Sequence, residues 1–495
     1  MDLATLCALM LVALMPLLYF AGSRRGRRRD GDRLPPGPFN LPVIGSLHRL
    51  GSLPHISLQK LSRKHGDVMH LKLGRASAVI ISSARAASEI FKLHSLQCSS
   101  KPSLICSKYF GNDSSGIIFS SYTPQVKLYR KLINTHLLSP ARLRICDGIR
   151  REEQHRLARS IRDEQGNPVL LREKFHDFNM NIIAYRLFGE RSFCGSSQEF
   201  VRAIVETIRL VGIFNVSDYI PWLRWLDVQG LEKQYKQLTD KLNRHLFSIL
   251  RDRRENPRVV TTDEEPMAFI DVLISMDELS DTTKITLLLD ILLGAVDSSA
   301  LSVEWAMAEL LRHPAELSRA RREIDDVVGS QRLVEDSDLP KLPYVEAIAK
   351  ETLRLHQVTP LINPKLVEGG PIKLGGFTIP AGALVYLSSY SIGMDGKFWK
   401  EPLEFRPQRF IEQDIDVFGQ NFHFVPFGTG RRVCPGAKLG LDTVRIGVAM
   451  LVQGFDWELD QDPAKMDMAE TFGLVCQKTQ PLVAIPRPRL DSHVY

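Results

Sequence analysis

The sequence predicts a mainly α-helical domain with small β-sheets, preceded by one N-terminal transmembrane helix. Three observations predict it. Residues 3–21 form an uncharged, mainly apolar run of 19, about the length a helix needs to cross a bilayer. From residue 84 onward, apolar positions recur at helical spacing over most of the chain. Strand-like alternation is confined to short stretches, most clearly within 68–81.

The elements follow in order. Only Asp2 and the α-amino group are charged before the apolar run, and Arg24, Arg25, Arg27, Arg28 and Arg29 follow it closely. The positive-inside rule places these arginines, and the chain after them, on the cytoplasmic side. A cleaved signal peptide would carry its basic residues before the run. Pro16 is tolerable inside a spanning helix. We therefore divide the chain into an anchor at 1–22, a basic and proline-rich linker at 23–38, and a single domain at 39–495. In the linker, Leu34-Pro35-Pro36-Gly37-Pro38 predicts a stiff, extended spacer. A short helix is expected at 55–65 and a hairpin from 68–73 and 77–81. Helices are expected at about 84–94, 126–137, 139–163, 172–188, 197–211, 229–255 and 266–276. A long helix at 282–312 ends at His313-Pro314, and Pro314 can open the next, at 314–328. A helix at 342–356, strand-like pieces at 373–374 and 383–388, an irregular stretch at 396–427 and a helix at 437–451 complete the chain.

The 495 residues, 44% hydrophobic, can build a large core, and no internal repeat divides them. The formal charge of +7 is no nucleic-acid signal, because its clearest arginine cluster adjoins the membrane segment. Seven cysteines (Cys7, Cys98, Cys106, Cys146, Cys194, Cys434 and Cys476) are odd in number and contain no C-x-x-C pair. They suggest neither a disulfide framework nor a zinc site and fit a reducing compartment.

One of these cysteines is different in kind. Phe427-Gly428-Thr429-Gly430-Arg431-Arg432-Val433-Cys434-Pro435-Gly436 places it in a glycine-rich, doubly basic loop ahead of a helix. Free backbone N–H groups and neighbouring arginines favour a thiolate there. Gly428, Gly430 and Gly436 remove side chains where a flat group would approach the backbone. Such a thiolate suits a haem iron. Upstream, Glu351-Thr352-Leu353-Arg354 puts an acid and a base on one helical face. Gly294-Ala295-Val296-Asp297-Ser298-Ser299, on the long helix, combines small residues with an acid and a hydroxyl in one turn.

These segments resemble the cytochrome P450 haem-thiolate monooxygenases, specifically the plant microsomal group, from Pro35 to Tyr495. The resemblance implies the fold of that family and haem b held by Cys434 as axial ligand, with Phe427, Gly428, Gly430 and Gly436 shaping the loop. Glu351 and Arg354 match its Glu-x-x-Arg pair, and Phe405-Arg406-Pro407-Gln408-Arg409-Phe410 supplies Arg409 to complete a network that locks the segment holding the cysteine. Asp297 and Ser298 fall where the family relays protons during oxygen activation, though Ala295 replaces a usual glycine and Ser298 a usual threonine. Arg432 fills the propionate-binding arginine position. Lys365 occupies a place where relatives often have arginine. Val126-Lys127-Leu128-Tyr129-Arg130 resembles a Trp-Arg-x-x-Arg element, with Lys127 and Arg130 as its charges. By analogy the distal pocket is lined by the loop at about 100–121, by Leu292, Ala295 and Val296, by Val358 and Ile362, and by Phe472 and Leu474. Most of these are apolar, so an apolar substrate is expected.

The implied enzyme is single-pass in the endoplasmic reticulum membrane, with its catalytic domain in the cytosol. It takes electrons from an NADPH-dependent reductase docked on the cysteine side, where Arg431 and Lys438 add positive charge. Its partners are membrane lipid and an apolar metabolite, a phenylpropanoid, flavonoid or terpenoid, and not nucleic acid. The altered turn at 295–298 leaves open a haem enzyme that rearranges, dehydrates or N-hydroxylates. A non-catalytic haem-binding membrane protein is the third reading.

Overall fold

Helices begin where short side chains cap them and prolines open them. Ser83, Thr123, Ser139 and Ser280 each accept a backbone N–H from the first turn of the helix they precede, and Pro124, Pro140, Pro314 and Pro343 stand at helix starts. The computed structural model describes residues 33–113, 115–190, 197–258 and 267–495. The predicted anchor, most of the linker, Cys7 and Cys194 lie outside them.

In chain order the helices are α1 (Pro54–His65), α2 (Ala84–Leu93), α3 (Ile105–Phe110), α4 (Pro124–His136), α5 (Pro140–Ile145), α6 (Asp147–Arg162), α7 (Leu171–Phe188), α8 (Ser197–Val211) and α9 (Val216–Tyr219). There follow α10 (Leu231–Glu255), α11 (Phe269–Ile274), α12 (Asp281–Arg312), α13 (Pro314–Val327), α14 (Pro343–Leu355), α15 (Ser389–Gly393), α16 (Gln408–Glu412) and α17 (Ala437–Gly454). The helix expected at 139–163 is two, because Cys146 leaves helical geometry at ψ 3° between α5 and α6.

The strands are β1 (Val68–Leu73), β2 (Ala76–Ile81), β3 (Val169–Leu170), β4 (Ile362–Leu366), β5 (Ile372–Leu374), β6 (Phe377–Ile379), β7 (Leu384–Leu387), β8 (Phe455–Glu458), β9 (Glu470–Thr471), β10 (Gln477–Lys478) and β11 (Val483–Pro488). The main sheet runs β1-β2-β7-β4. Its hairpin pairs Val68 with Ile81, and β2 runs parallel to β7 from Ala78 opposite Leu384. β4 joins antiparallel with a register shift between Ile362 and Lys365. That bulge sits beside the cysteine loop: an ideal Cβ on Gly428 would lie 3.6 Å from Ile362.

α12 is the axis of the helical part and packs on α7, α8, α10, α14 and α17. It is apolar enough to cross a membrane, yet 78% of its most apolar window is buried inside the protein. A helix apolar all round is a core helix here. The described end of the linker docks on two sheets: Pro36 O accepts the His70 N–H of β1 at 2.8 Å, and Arg33 O accepts that of Thr378, on β6 of the separate β5-β6 pair, at 2.8 Å.

Candidate active site around Cys434

The cysteine loop is held by its own backbone. The Cys434 N–H donates to Phe427 O at 3.0 Å, and the Gly428 N–H donates to Val425 O at 3.0 Å. Gly428 and Gly430 have φ of +74° and +72°, left-handed values that favour glycine. The backbone thus gives two of the three loop glycines a conformational reason of their own. Gly428 and Gly430 make the turn, and a Cβ on Gly430 would press on Phe91 at 3.0 Å. Only a Cβ on Gly436, 3.9 Å from Cys434 Sγ, would approach the sulfur.

The Cys434 side chain has open surface although protein encloses it deeply, so the space it faces is interior. Burial pushes its thiol up, opposed by the Gly436 N–H and by the Arg130 charge. The protein alone therefore does not depress this pKa, contrary to the loop chemistry read from the sequence. A bound metal, preferring the deprotonated sulfur, would supply the missing drive.

A second wall of open interior surface lies on α12. Gly294 is exposed and Ala295 and Ser298 are partly open, while Leu292, Leu293, Val296 and Asp297 between them are buried. A Cβ on Gly294 would meet nothing within 4 Å. Ser298 Oγ donates to Gly294 O at 3.0 Å. The two walls are adjacent, because a Cβ on Gly440 of α17 would lie 3.4 Å from Phe427 and 3.9 Å from Ser299 Oγ.

Cations converge at the rim. Lys365, buried on β4, is hydrogen-bonded to Lys101 and faces Arg432 and Arg130. Burial pushes Lys365 down to about 8 and Lys101 well below its ordinary value, with each other's charge and that of Arg432 adding to it for Lys101. A buried lysine and a half-buried one, held together beside two arginines, form a site for anions. A soft sulfur donor, an open interior space and such a cation cluster fit haem b, with its iron and two carboxylates. Lys101 was not foreseen; in a loop, a lone lysine reads as solvated.

Arg432 also braces the loops around the site. Its guanidinium donates to Ser99 O at 2.8 Å, Ile117 O at 2.9 Å and Ser120 O, tying the 99–120 loop to the cysteine loop. From the other side, Asp290 on α12 accepts the N–H groups of Ile117 at 2.5 Å and Ile118 at 3.2 Å. Burial pushes Asp290 up to about 7 against those bonds. Arg130 donates to Val433 O at 2.7 Å, one residue before the cysteine. Lys127 and Arg431 lie over the Tyr122 ring at 5.4 and 5.9 Å. Lys438 is paired with Asp442 at 2.6 Å, so of the two cations expected to greet a partner only Arg431 has no acid paired with it among the described residues.

The acid–base pair on α14 makes a closed network. Arg354, with no exposed surface, donates to both oxygens of Glu351 at 2.7 and 2.9 Å, and to Gly393 O, Pro402 O and Glu404 O. Arg409 reaches Glu351 at 3.0 Å and the carbonyls of Lys400, Glu401 and Glu404. The Arg406 N–H adds a bond to Glu351 at 2.8 Å. Segment 393–409, from the end of α15 into the irregular stretch, is thereby pinned to α14 with few regular backbone bonds of its own.

The expected pocket residues divide. Ala295, Val358, Ile362 and Leu474 keep partly open surface. Leu292 and Val296 are corrected to core: both are fully buried and packed with α7, α8 and α10 residues. Phe472 stacks on His55 at 5.8 Å and faces Phe214 at 6.3 Å, and the Cys476 N–H bonds Val358 O at 2.7 Å, joining the C-terminal hairpin to the Val358 segment. Asp297 turns toward α7, where His176 Nε2 lies 2.6 Å from its Oδ1. That partner was also missed, although Arg172, His176 and Asn179 form a polar i, i+4, i+7 stripe legible in the sequence.

A family model described as "Cytochrome P450" matches residues 35–485. The flavonoid 3'-monooxygenase of Arabidopsis thaliana is 35% identical over 506 residues, covering 98% of each chain. Cytochrome P450 CYP736A12 of Panax ginseng is 38% identical over 477 residues, covering 92% of this chain and 94% of its own. A flavonoid 3',5'-hydroxylase from Crocosmia x crocosmiiflora is 34% identical across 98% of this chain and 96% of its own. Among solved structures, a zebra fish cytochrome P450 with abiraterone superposes with a TM-score of 0.74 at 22% identity, over 89% of this chain and all of that one, a likeness of fold.

Proposed function

The chain belongs to the cytochrome P450 family and is a monooxygenase of the oxidoreductase class, and on that premise we propose that it hydroxylates a flavonoid or related phenylpropanoid at a membrane surface. The observation that carries the chemistry is Cys434 facing an interior space across from Gly294, Ala295 and Ser298, with Lys101, Lys365, Arg130 and Arg432 at its rim. The substrate class is supported by the names of full-length relatives: flavonoid 3'-monooxygenases of Arabidopsis thaliana and Petunia hybrida and flavonoid 3',5'-hydroxylases.

When bound, haem b supplies reductive activation of dioxygen, one oxygen atom entering a substrate C–H bond and the other leaving as water, with two electrons from NADPH and two protons. Cys434 would hold its iron through the sulfur, on which the Gly436 N–H and Arg130 favour negative charge. Lys101, Lys365, Arg130 and Arg432 balance its two carboxylates. Glu351, Arg354 and Arg409 hold the stretch that leads into the loop. Asp297 and Ser298 hold and pass the protons, the Ser298 hydroxyl carrying them at the interior face. Ala295, Val358, Ile362 and Leu474 present apolar surface to the substrate.

The electrons come from an NADPH-dependent flavoprotein reductase on the Arg431 side. Membrane binding, at the endoplasmic reticulum through the apolar run at 3–21, is supported by an apolar surface beside the linker. Trp225 and Phe39 are 81% and 74% exposed, with Trp222, Leu226 and Val228 also exposed. The two segments meet through one cluster, which packs Val43, Ile44 and Leu47 with Tyr219, Ile220 and Leu223.

The test is turnover in membranes with reductase, NADPH, a panel of flavonoids and isotopically labelled dioxygen. The expected product carries one labelled oxygen on an aromatic ring. A product rearranged or dehydrated without label would move the assignment to the second reading of the sequence. No NADPH-dependent product from the panel, with the haem spectrum intact, would remove the substrate class.

A further inference from the structure

α7 and α12 cross in antiparallel sense, and the polar stripe of α7 makes the seam. At one end Arg172 holds Glu304 at 2.8 and 2.7 Å. At the other, Asn179 Nδ2 donates to Val296 O at 3.1 Å. Between them His176 is set on Asp297, at 2.6 Å. The flanking pairs are made in line. His176 Nε2 and Asp297 Oδ1 are not: both are buried, close, and without an in-line hydrogen-bond partner among the described residues. A tie built only to hold two helices together would be aligned as its neighbours are.

The two sides of this pair differ. The Asp297 side chain is 6% exposed and that of His176 15%. His176 lines a surface cleft of 710 Å³ whose other walls include Glu153, Glu173, Lys174, Asp177, Arg202 and Glu206, and Asp297 does not reach it. Mixed charge of this kind keeps a cleft wet. On the far side the next residue, Ser298, has open surface on the interior space. Cleft, imidazole, carboxylate and hydroxyl therefore follow one another from solvent to the interior.

We propose that His176 is the positioning residue that connects Asp297 to solvent, so that protons for the reaction come in through the cleft between α6, α7 and α8. This rests on the reading of Asp297 and Ser298 as the proton-passing pair. The proton count closes without electrons. The imidazole takes a proton from cleft water and passes one from Nε2 to the Asp297 carboxylate. The carboxyl then passes its proton to the Ser298 oxygen, which releases its own toward the interior. Carboxylate and hydroxyl end as they began, and the imidazole is left with its proton on Nδ1, from which a turn of the ring restores the starting arrangement.

Two measurements on the full-length protein in membranes test it, each on variants with parental haem content. The first needs no turnover: carbodiimide with glycine ethyl ester, read by peptide mass spectrometry at Asp297. Labelling is expected to rise severalfold in His176→Ala, which opens the cleft floor, and to stay at the parental level in His176→Phe. Unchanged labelling in His176→Ala would mean that His176 is not the barrier, and the inlet falls. The second is hydrogen peroxide released per NADPH consumed, the mark of starved proton delivery. His176→Phe and Asp297→Asn are each expected to raise it about threefold or more, and the double variant no further than the larger single effect, because one acts through the other. A parental yield in His176→Phe beside a raised yield in Asp297→Asn overturns the inlet and leaves Asp297 standing. A parental yield in Asp297→Asn overturns both.

Discussion

At the scale of single residues, the site depends on where each charge is directed. Arg354 has no exposed surface and satisfies Glu351 and three carbonyls at once. Removing one partner of such a buried set leaves an uncompensated charge, at a cost of about 3–5 kcal/mol. Arg354→Ala is therefore expected to yield protein with little or no haem, measured as Soret absorbance per protein. Full haem content would remove the network from the account. Ser298 carries a second prediction. Its hydroxyl is bonded to Gly294 O, but serine lacks the methyl group that restricts a threonine rotamer. Ser298→Thr is expected to lower peroxide release per NADPH, whereas Ser298→Ala raises it. Part of this scale was legible in the sequence: Glu351, Arg354 and Arg409, read as one network, are hydrogen-bonded to one another. What was not legible needed a partner from elsewhere in the chain. Lys101 reads as a surface charge until Lys365 is placed against it, and His176 as a polar helix position until Asp297 arrives. Leu292 and Val296 mislead for the opposite reason, since a helix apolar on every side does not say which side fronts the site.

At the scale of elements, periodic stretches were placed closely by pattern, as in the long helix expected at 282–312 and found at Asp281–Arg312. β4 was not seen. Ile362-Asn363-Pro364-Lys365 has a proline and a bulge, and its pairing with β7 is long-range. Packing between elements also sets a pH window. Burial alone would push Glu309 up, but hydrogen bonds from His313 and His356 outweigh it and bring it down to about 2. Glu470 is likewise brought to about 2 by His356 and His55. His356 gains in turn: burial would lower it, and the two carboxylates raise it. The depressed carboxylates contribute stability that is full above about pH 4.5 and lost as pH falls toward 2, about 3 kcal/mol for a shift of that size. The raised imidazole contributes below about pH 6.5 and fades as pH rises through its own value. Denaturant unfolding of parent and Glu309→Gln should therefore differ most near pH 5 to 6 and converge toward pH 2. A constant difference across that range would deny the coupling of α12, α14 and the C-terminal hairpin through these groups.

At the scale of the whole molecule, α12 supports both faces of the chemistry, the interior space on one side and the α7 seam on the other. The exposed apolar surface around Trp222, Trp225 and Phe39 adjoins the linker, and the proposed membrane contact is placed there. A chain starting at Arg33 is expected to bind lipid vesicles without the anchor, and Trp222→Ser with Trp225→Ser to weaken that binding about tenfold or more. Unchanged partitioning would place the membrane contact elsewhere. Everything in this arrangement turns on one sulfur. The most direct test is the reduced, carbon-monoxide difference spectrum of the full-length protein in membranes, beside Cys434→Ala. A thiolate-type Soret band in the parent and its loss in the variant is the predicted result. Haem-loaded, folded parent protein without that band, or a band that survives in Cys434→Ala, would contradict the assignment of Cys434 as the ligand and the monooxygenase mechanism built on it.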